Sequence, residues 1–176
     1  FVASYNHGLT AIKGLAIATN TATSEILYIV NATNFTGFDI TTPSAATQYV
    51  ASTPLGVGGC TSAIGTQGFN IYAYVGCGNN LVSINSDTNG LNVNGPLSVN
   101  FDELSYNPTN NYLVAIGGAS GGHISNVDVL GGATVSVIGT GQQLALGPVK
   151  GLGPILTGGI GGCLLYTSPS PRDKTV

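Results

Sequence analysis

Cys60-TSAIGTQGFNIYAY-Val75 reads as two short runs rich in apolar, aromatic and β-branched residues, folded about a polar turn at Thr66-QGF-Asn70. What decides the fold is that this pattern recurs. Leu15-AIATNTATSEILYI-Val30, Phe101-DELSYNPTNNYLVA-Ile116 and Gln143-LALGPVKGLGPILT-Gly158 can be laid over it, with successive starts 45, 41 and 42 residues apart. The turns of the first and third copies, Asn20-TATS-Glu25 and Asn107-PTN-Asn111, carry the Asn and Pro that tight connections need.

Working outward, each of the first three copies continues past a Gly/Asn-rich connection into a third run ending in a polar residue: Gly37-Phe38-Asp39, Ser83-Ile84-Asn85 and Asn126-Val127-Asp128. A fourth run follows at Thr47-QYV-Ala51, at Leu91–Val93 or Leu97–Val99, and at Thr134-VSV-Ile138. Four strands per period of about 42 residues is the length of one β-propeller blade and too long for a leucine-rich or ankyrin unit. The expected fold is therefore all-β, a partial β-propeller of about three to four four-stranded antiparallel blades. Its sheets are expected over Leu15–Ala51, Thr61–Val99 and Glu103–Ile138, within repeat units near 15–51, 60–99 and 101–138 and a partial unit at 143–162. A β-sandwich is the alternative, since short strands at close spacing suit it as well.

The runs Leu27-YIV-Asn31 followed by Phe38-DIT-Thr42, and Ile71-YAYV-Gly76 followed by Leu81-VSIN-Ser86, resemble the YVTN-type propeller repeat. The resemblance covers Leu15 to Ile138, and it departs from the pattern at Asn85, where the repeat has Asp, and in the Gly151/Gly153/Pro154 region of the fourth unit. It implies a propeller of extracellular, cell-surface or periplasmic location and supplies no catalytic residues.

Cys163-LLYTSPSPR-Asp173 matches the translation of a transposase adapter used in building sequencing libraries. Residues 163–176 are therefore expected to be an adapter-derived scar outside any blade, and residues 1–162 an incomplete propeller, with Phe1-VAS-Tyr5 as the outer strand of a preceding blade. Proline at 169 and 171 and the charges of Arg172, Asp173 and Lys174 suit neither a strand nor a core.

The chain has 176 residues, of which 6% are charged and 43% hydrophobic. Four Lys and Arg against seven Asp and Glu leave no basic patch, which disfavours nucleic-acid binding and attraction to an anionic membrane surface. The apolar run from Leu144 to Leu165 is broken by Lys150, two prolines and many glycines, so membrane insertion is not expected. The partner expected is an unknown protein or glycan.

Setting Cys163 aside with the tail leaves Cys60 and Cys77. A hairpin turning at Gln67-Gly68-Phe69 places them opposite each other, where Cα atoms lie ~4.5–5.5 Å apart and a disulfide can form. Two small buried thiols are the other reading. The sequons Asn31-Ala-Thr33 and Asn34-Phe-Thr36 are no more than an Asn- and Thr-rich composition yields by chance.

Chemistry is sparse. Gly118-Ala-Ser120-Gly-Gly122 fits the nucleophile-elbow pattern with His123 and Asp128 nearby, but a strand rather than a helix follows it. His7 and His123 are the only histidines and have no partner at ligand spacing, so no metal and no cofactor is expected. Asp39, Asn85 and Asp128, at equivalent repeat positions, are expected to cap the turn after the third strand. One such side chain per blade falls short of the ~6–8 oxygens calcium takes. The expected function is a non-enzymatic extracellular or cell-surface propeller scaffold presenting loops for protein or glycan binding. The alternative is a fragment of a lactonase-like propeller hydrolase whose catalytic residues lie on missing blades.

Overall fold

The computed structural model describes residues 6–66, 68–117 and 123–139. These form three antiparallel four-stranded sheets and a single turn of 3-10 helix at Pro43–Ala45. The first sheet holds β1 (Gly14–Thr19), β2 (Glu25–Val30), β3 (Asn34–Asp39) and β4 (Thr47–Pro54). The second holds β5 (Cys60–Gly65), β6 (Tyr72–Cys77), β7 (Asn80–Asn85) and β8 (Leu91–Asn94), so of the two candidate runs for its last strand the first is used. The third holds β9 (Glu103–Asn107), β10 (Tyr112–Gly117), β11 (His123–Asp128) and β12 (Ser136–Gly139). In every sheet the strands lie in chain order, each paired with the next, and no described strand crosses from one sheet to another. The partial unit at 143–162, the tail at 163–176 and the Phe1–Tyr5 strand lie outside the described residues.

The hairpins follow from local chemistry. The two-residue turn Gly78-Asn79 has Gly78 at φ 61, the positive value that a two-residue hairpin requires at its first position. Between β2 and β3 the Asn31 side chain accepts from the amides of Thr33 and Asn34 at 3.0 and 2.8 Å, replacing the ladder bonds the turn gives up.

The pairing register corrects the repeat overlay drawn from sequence. Ile26, Tyr72 and Tyr112 pair with Asp39, Asn85 and Asp128 respectively, so they are equivalent. Carried into the first strands, this makes Leu15, Ala63 and Leu104 equivalent, whereas the sequence overlay matched Leu15 with Cys60 and Phe101. The slip arises because the first hairpins differ in length between equivalent partners: nine residues lie between Ile17 and Leu27, seven between Gly65 and Ala73, and six between Tyr106 and Leu113. A composition-based overlay absorbs such differences silently.

The sheets pack face on face. Ala16, Ala18, Ile26, Tyr28, Val30 and Phe35 of the first meet Ala73, Val75, Val82 and Ile84 of the second. Tyr74 and Leu81, on the opposite face of the second sheet, meet Leu104, Tyr106, Leu113, Ala115 and Val127 of the third. Each fully buried Leu, Ile or Val contributes ~1.5–3 kcal/mol. Because both faces of the middle sheet are covered, β6 and β7 are buried almost without alternation. The first strands of successive sheets lie beside one another, β1 against β5 and β5 against β9.

A repeated tyrosine fastens each sheet to the next. Tyr28 and Tyr74 occupy equivalent places in β2 and β6. The Tyr28 hydroxyl donates to Asn89 Oδ1 at 2.9 Å, and that of Tyr74 donates to the Gly132 carbonyl at 2.9 Å. Both acceptors sit in the connection between third and fourth strands of the following sheet, at residues with positive φ. Burial pushes both phenols well above the ordinary tyrosine range. Tyr74→Phe is expected to cost ~1–3 kcal/mol by leaving a buried carbonyl unsatisfied, measured by urea unfolding.

Candidate functional site

Three first hairpins and three third-to-fourth-strand connections gather at one end of the sheets, held by cross-sheet bonds. The Thr21 amide and hydroxyl both donate to Asp87 Oδ1, at 2.8 and 3.0 Å. Tyr49 donates to the Ser86 carbonyl at 2.7 Å, and Ser86 to the Thr19 carbonyl at 3.2 Å. Between the second and third sheets the Asn70 amide donates to Tyr74 Oη and to the Val129 carbonyl, at 3.1 and 3.3 Å.

At this end Phe69 is exposed and lies on Tyr106 with ring centroids 6.4 Å apart and planes 29° from parallel. Tyr106 is fixed beneath it by a 2.6 Å bond to Asn111 Oδ1. Burial raises the Tyr106 phenol. The hairpin that follows Tyr106 carries Asn107, Thr109, Asn110 and Asn111, amides and a hydroxyl without charge. An aromatic face bordered by amides can stack on an apolar surface while offering hydrogen bonds.

Glu25, Asp39, Asp87 and Asp128 also fall at this end, while Lys13 and His123 belong to the other. Asp39, Asn85 and Asp128 each cap the turn after the third strand of their own sheet. Asp39 Oδ1 accepts from the Thr41 amide at 2.9 Å, Asn85 Oδ1 from Asp87 and Thr88 at 2.9 and 3.1 Å, and Asp128 Oδ1 from Leu130 at 2.8 Å. Among the described residues no group of three or more His, Cys, Asp or Glu is placed to hold a metal. His7 accepts from the Leu9 amide through Nδ1, and His123 opens β11; Ser120 lies outside the described residues.

The Thr41 hydroxyl, followed by its amide, holds the Asp39 carboxyl below the usual carboxylate range. A depressed folded-state value means that the stabilisation is present above the unfolded pKa and is lost as pH falls through the folded one. A carbon-detected NMR titration is expected to place Asp39 below an unperturbed aspartate, and Thr41→Val to move it back up.

At the opposite end Cys60 and Cys77 form a disulfide, with Cα atoms 3.8 Å apart. The register explains how. Ser62 pairs with Gly76 and Gly65 with Ala73, a frame that if continued would set Thr61 against Cys77. An irregularity at Thr61 removes one residue from the frame and brings Cys60 opposite Cys77 instead. Thr61, freed from the ladder, donates through its hydroxyl to the Asp102 carbonyl at 3.0 Å.

Comparison of the chain with family models, with curated proteins and with solved structures found no match in any of the three. Among the described residues no helix is long and apolar enough to cross a membrane.

Phe69 was not singled out by its sequence context, since it sits in what reads as a plain turn. The signal available was the recurrence of Tyr in Leu27-YIV-Asn31 and Ile71-YAYV-Gly76, which marks the residues that lock the sheets and so hold the hairpins together.

Proposed function

We propose that this chain is part of a β-propeller of YVTN-type repeats that works as a non-enzymatic binding scaffold outside the cytoplasm, on the cell surface or in the periplasm. Three consecutive four-stranded sheets, the first strand of each against the first strand of the next, support the propeller over the sandwich. The Cys60–Cys77 disulfide supports an oxidising compartment.

The observation that carries the binding assignment is the exposed Phe69 ring backed by Tyr106, which the uncharged hairpin 107–111 follows in the chain. Its ligand is a glycan: a sugar presents C–H faces to an aromatic ring and hydroxyls to amides. The scarcity of ionisable groups removes the usual donors of acid–base catalysis, which is consistent with binding rather than turnover. Screening the protein on a glycan array, with Phe69→Ala alongside, tests this. The expected result is retention of a neutral glycan that weakens at least ~10-fold in the variant, equivalent to ~1.4 kcal/mol. Equal retention by both proteins, or none by either, would count against it.

A further inference from the structure

The chain contains two Asn-Gly steps, Asn89-Gly90 and Asn94-Gly95, and the fold treats them differently. A glycine after asparagine leaves its own nitrogen free to approach the asparagine Cγ, because no side chain crowds the ring that would close. Asn89-Gly90 lies in the turn between β7 and β8, with Asn89 at φ 57 and Gly90 exposed to solvent. The Gly90 amide donates to the Thr88 hydroxyl at 3.1 Å, outside the strand ladder. The Asn89 side chain meets the first sheet, where the Tyr28 hydroxyl donates to its Oδ1 at 2.9 Å. A donor aimed at a carbonyl oxygen stabilises the charge that develops there when a nucleophile adds to the carbon.

We propose that Asn89 is a self-modification site, converted in the folded protein to aspartate and isoaspartate with the Tyr28 hydroxyl as its oxyanion donor. The Gly90 nitrogen gives its proton to solvent hydroxide and attacks Asn89 Cγ. The bond from Cγ to Nδ2 breaks, ammonia leaves, and a succinimide remains. Water then opens the ring at either carbonyl, with no change of oxidation state. Asn94 is the contrast. Its Nδ2 donates to the Leu81 carbonyl, Ser83 Oγ and the Ala133 carbonyl at 3.2, 3.1 and 2.9 Å, and its Oδ1 accepts from the Val135 amide at 3.3 Å. Three of these bonds hold the nitrogen that would have to leave, and they tie it to two sheets. The bond to Asn89 holds the oxygen instead, and it strengthens as charge forms there. The product puts a carboxylate at the junction of the first and second sheets, two residues from Asp87, whose Oδ1 already accepts from Thr21.

Peptide-mapping mass spectrometry of the 176-residue protein held in mildly alkaline buffer follows both sites, with circular dichroism confirming that each variant folds. Asn89 is expected to convert at least ~10-fold faster than Asn94, and Tyr28→Phe to slow Asn89 at least ~10-fold while leaving Asn94 unchanged, a modest share of what an oxyanion donor can supply. In guanidinium chloride the two sites are expected to convert at similar rates. An Asn89 that stays intact in the native protein, or that converts no faster than Asn94, would overturn the proposal. So would a preference for Asn89 that persists in the unfolded chain, since local sequence alone would then account for it. Unchanged or faster conversion in Tyr28→Phe would overturn the role given to the phenol.

Discussion

Gly65→Val is expected to destabilise the protein by ~3 kcal/mol or more, the upper part of the range for overpacked sites. Gly65 has no unusual backbone angle that demands glycine; its role is spatial. A Cβ there would fall on the carbonyl oxygen of Ile17 in the neighbouring sheet, with the Ile17 carbonyl carbon close behind. Backbone held in a ladder cannot swing aside as a flexible side chain can, so β1 and β5 would have to separate. The same closeness recurs where Gly76 faces the Phe101 carbonyl, which shows that small residues set the distance between sheets. Gly58 is the control: only Thr33 Cγ2 lies near, at 3.9 Å, so Gly58→Ala should stay within ~0.5 kcal/mol. Urea denaturation of both variants checks the pair, and equal stabilities would show that β1 and β5 are not in contact.

The second large effect is expected from the disulfide. Cys60→Ser with Cys77→Ser should lower the unfolding free energy by ~3 kcal/mol, the loop-closure value for a separation of 17 residues. The loss should arise without disordering the second sheet, because β6 also pairs with β7 over six residues and both its faces are covered. Chemical denaturation of wild type with and without reductant gives the same comparison without mutation. A reduced protein as stable as the oxidised one would mean that the bridge constrains a region already closed in the unfolded chain.

Much of this architecture was legible because strand composition and turn chemistry repeat together. Ile26-LYI-Val30, Ile71-YAY-Val75 and Tyr112-LVA-Ile116 lie in or overlap the second strands, and the polar residues Asp39, Asn85 and Asp128 end the third. Register was legible only approximately. Neither the unequal first hairpins nor the irregularity at Thr61 leaves a mark in composition, and both shift which residues stand opposite. The opposition of Cys60 and Cys77 was inferred from a frame that differs slightly from the real one, and the bulge makes up the difference. Phe69 was not legible, because its exposure depends on Tyr106, some 37 residues away along the chain, rising beneath it from another sheet. Contacts between sheets are set by packing, whereas pattern reading reaches only within a strand and its hairpin.

The arrangement of the sheets is tested most directly by a crystal structure of the chain. The expected result is three meanders in chain order, β1 beside β5 and β5 beside β9, with the Tyr28 hydroxyl on Asn89 and that of Tyr74 on Gly132. Two sheets joined by strands that cross between them in a Greek key, with these tyrosines unbonded to the following repeat, would contradict it.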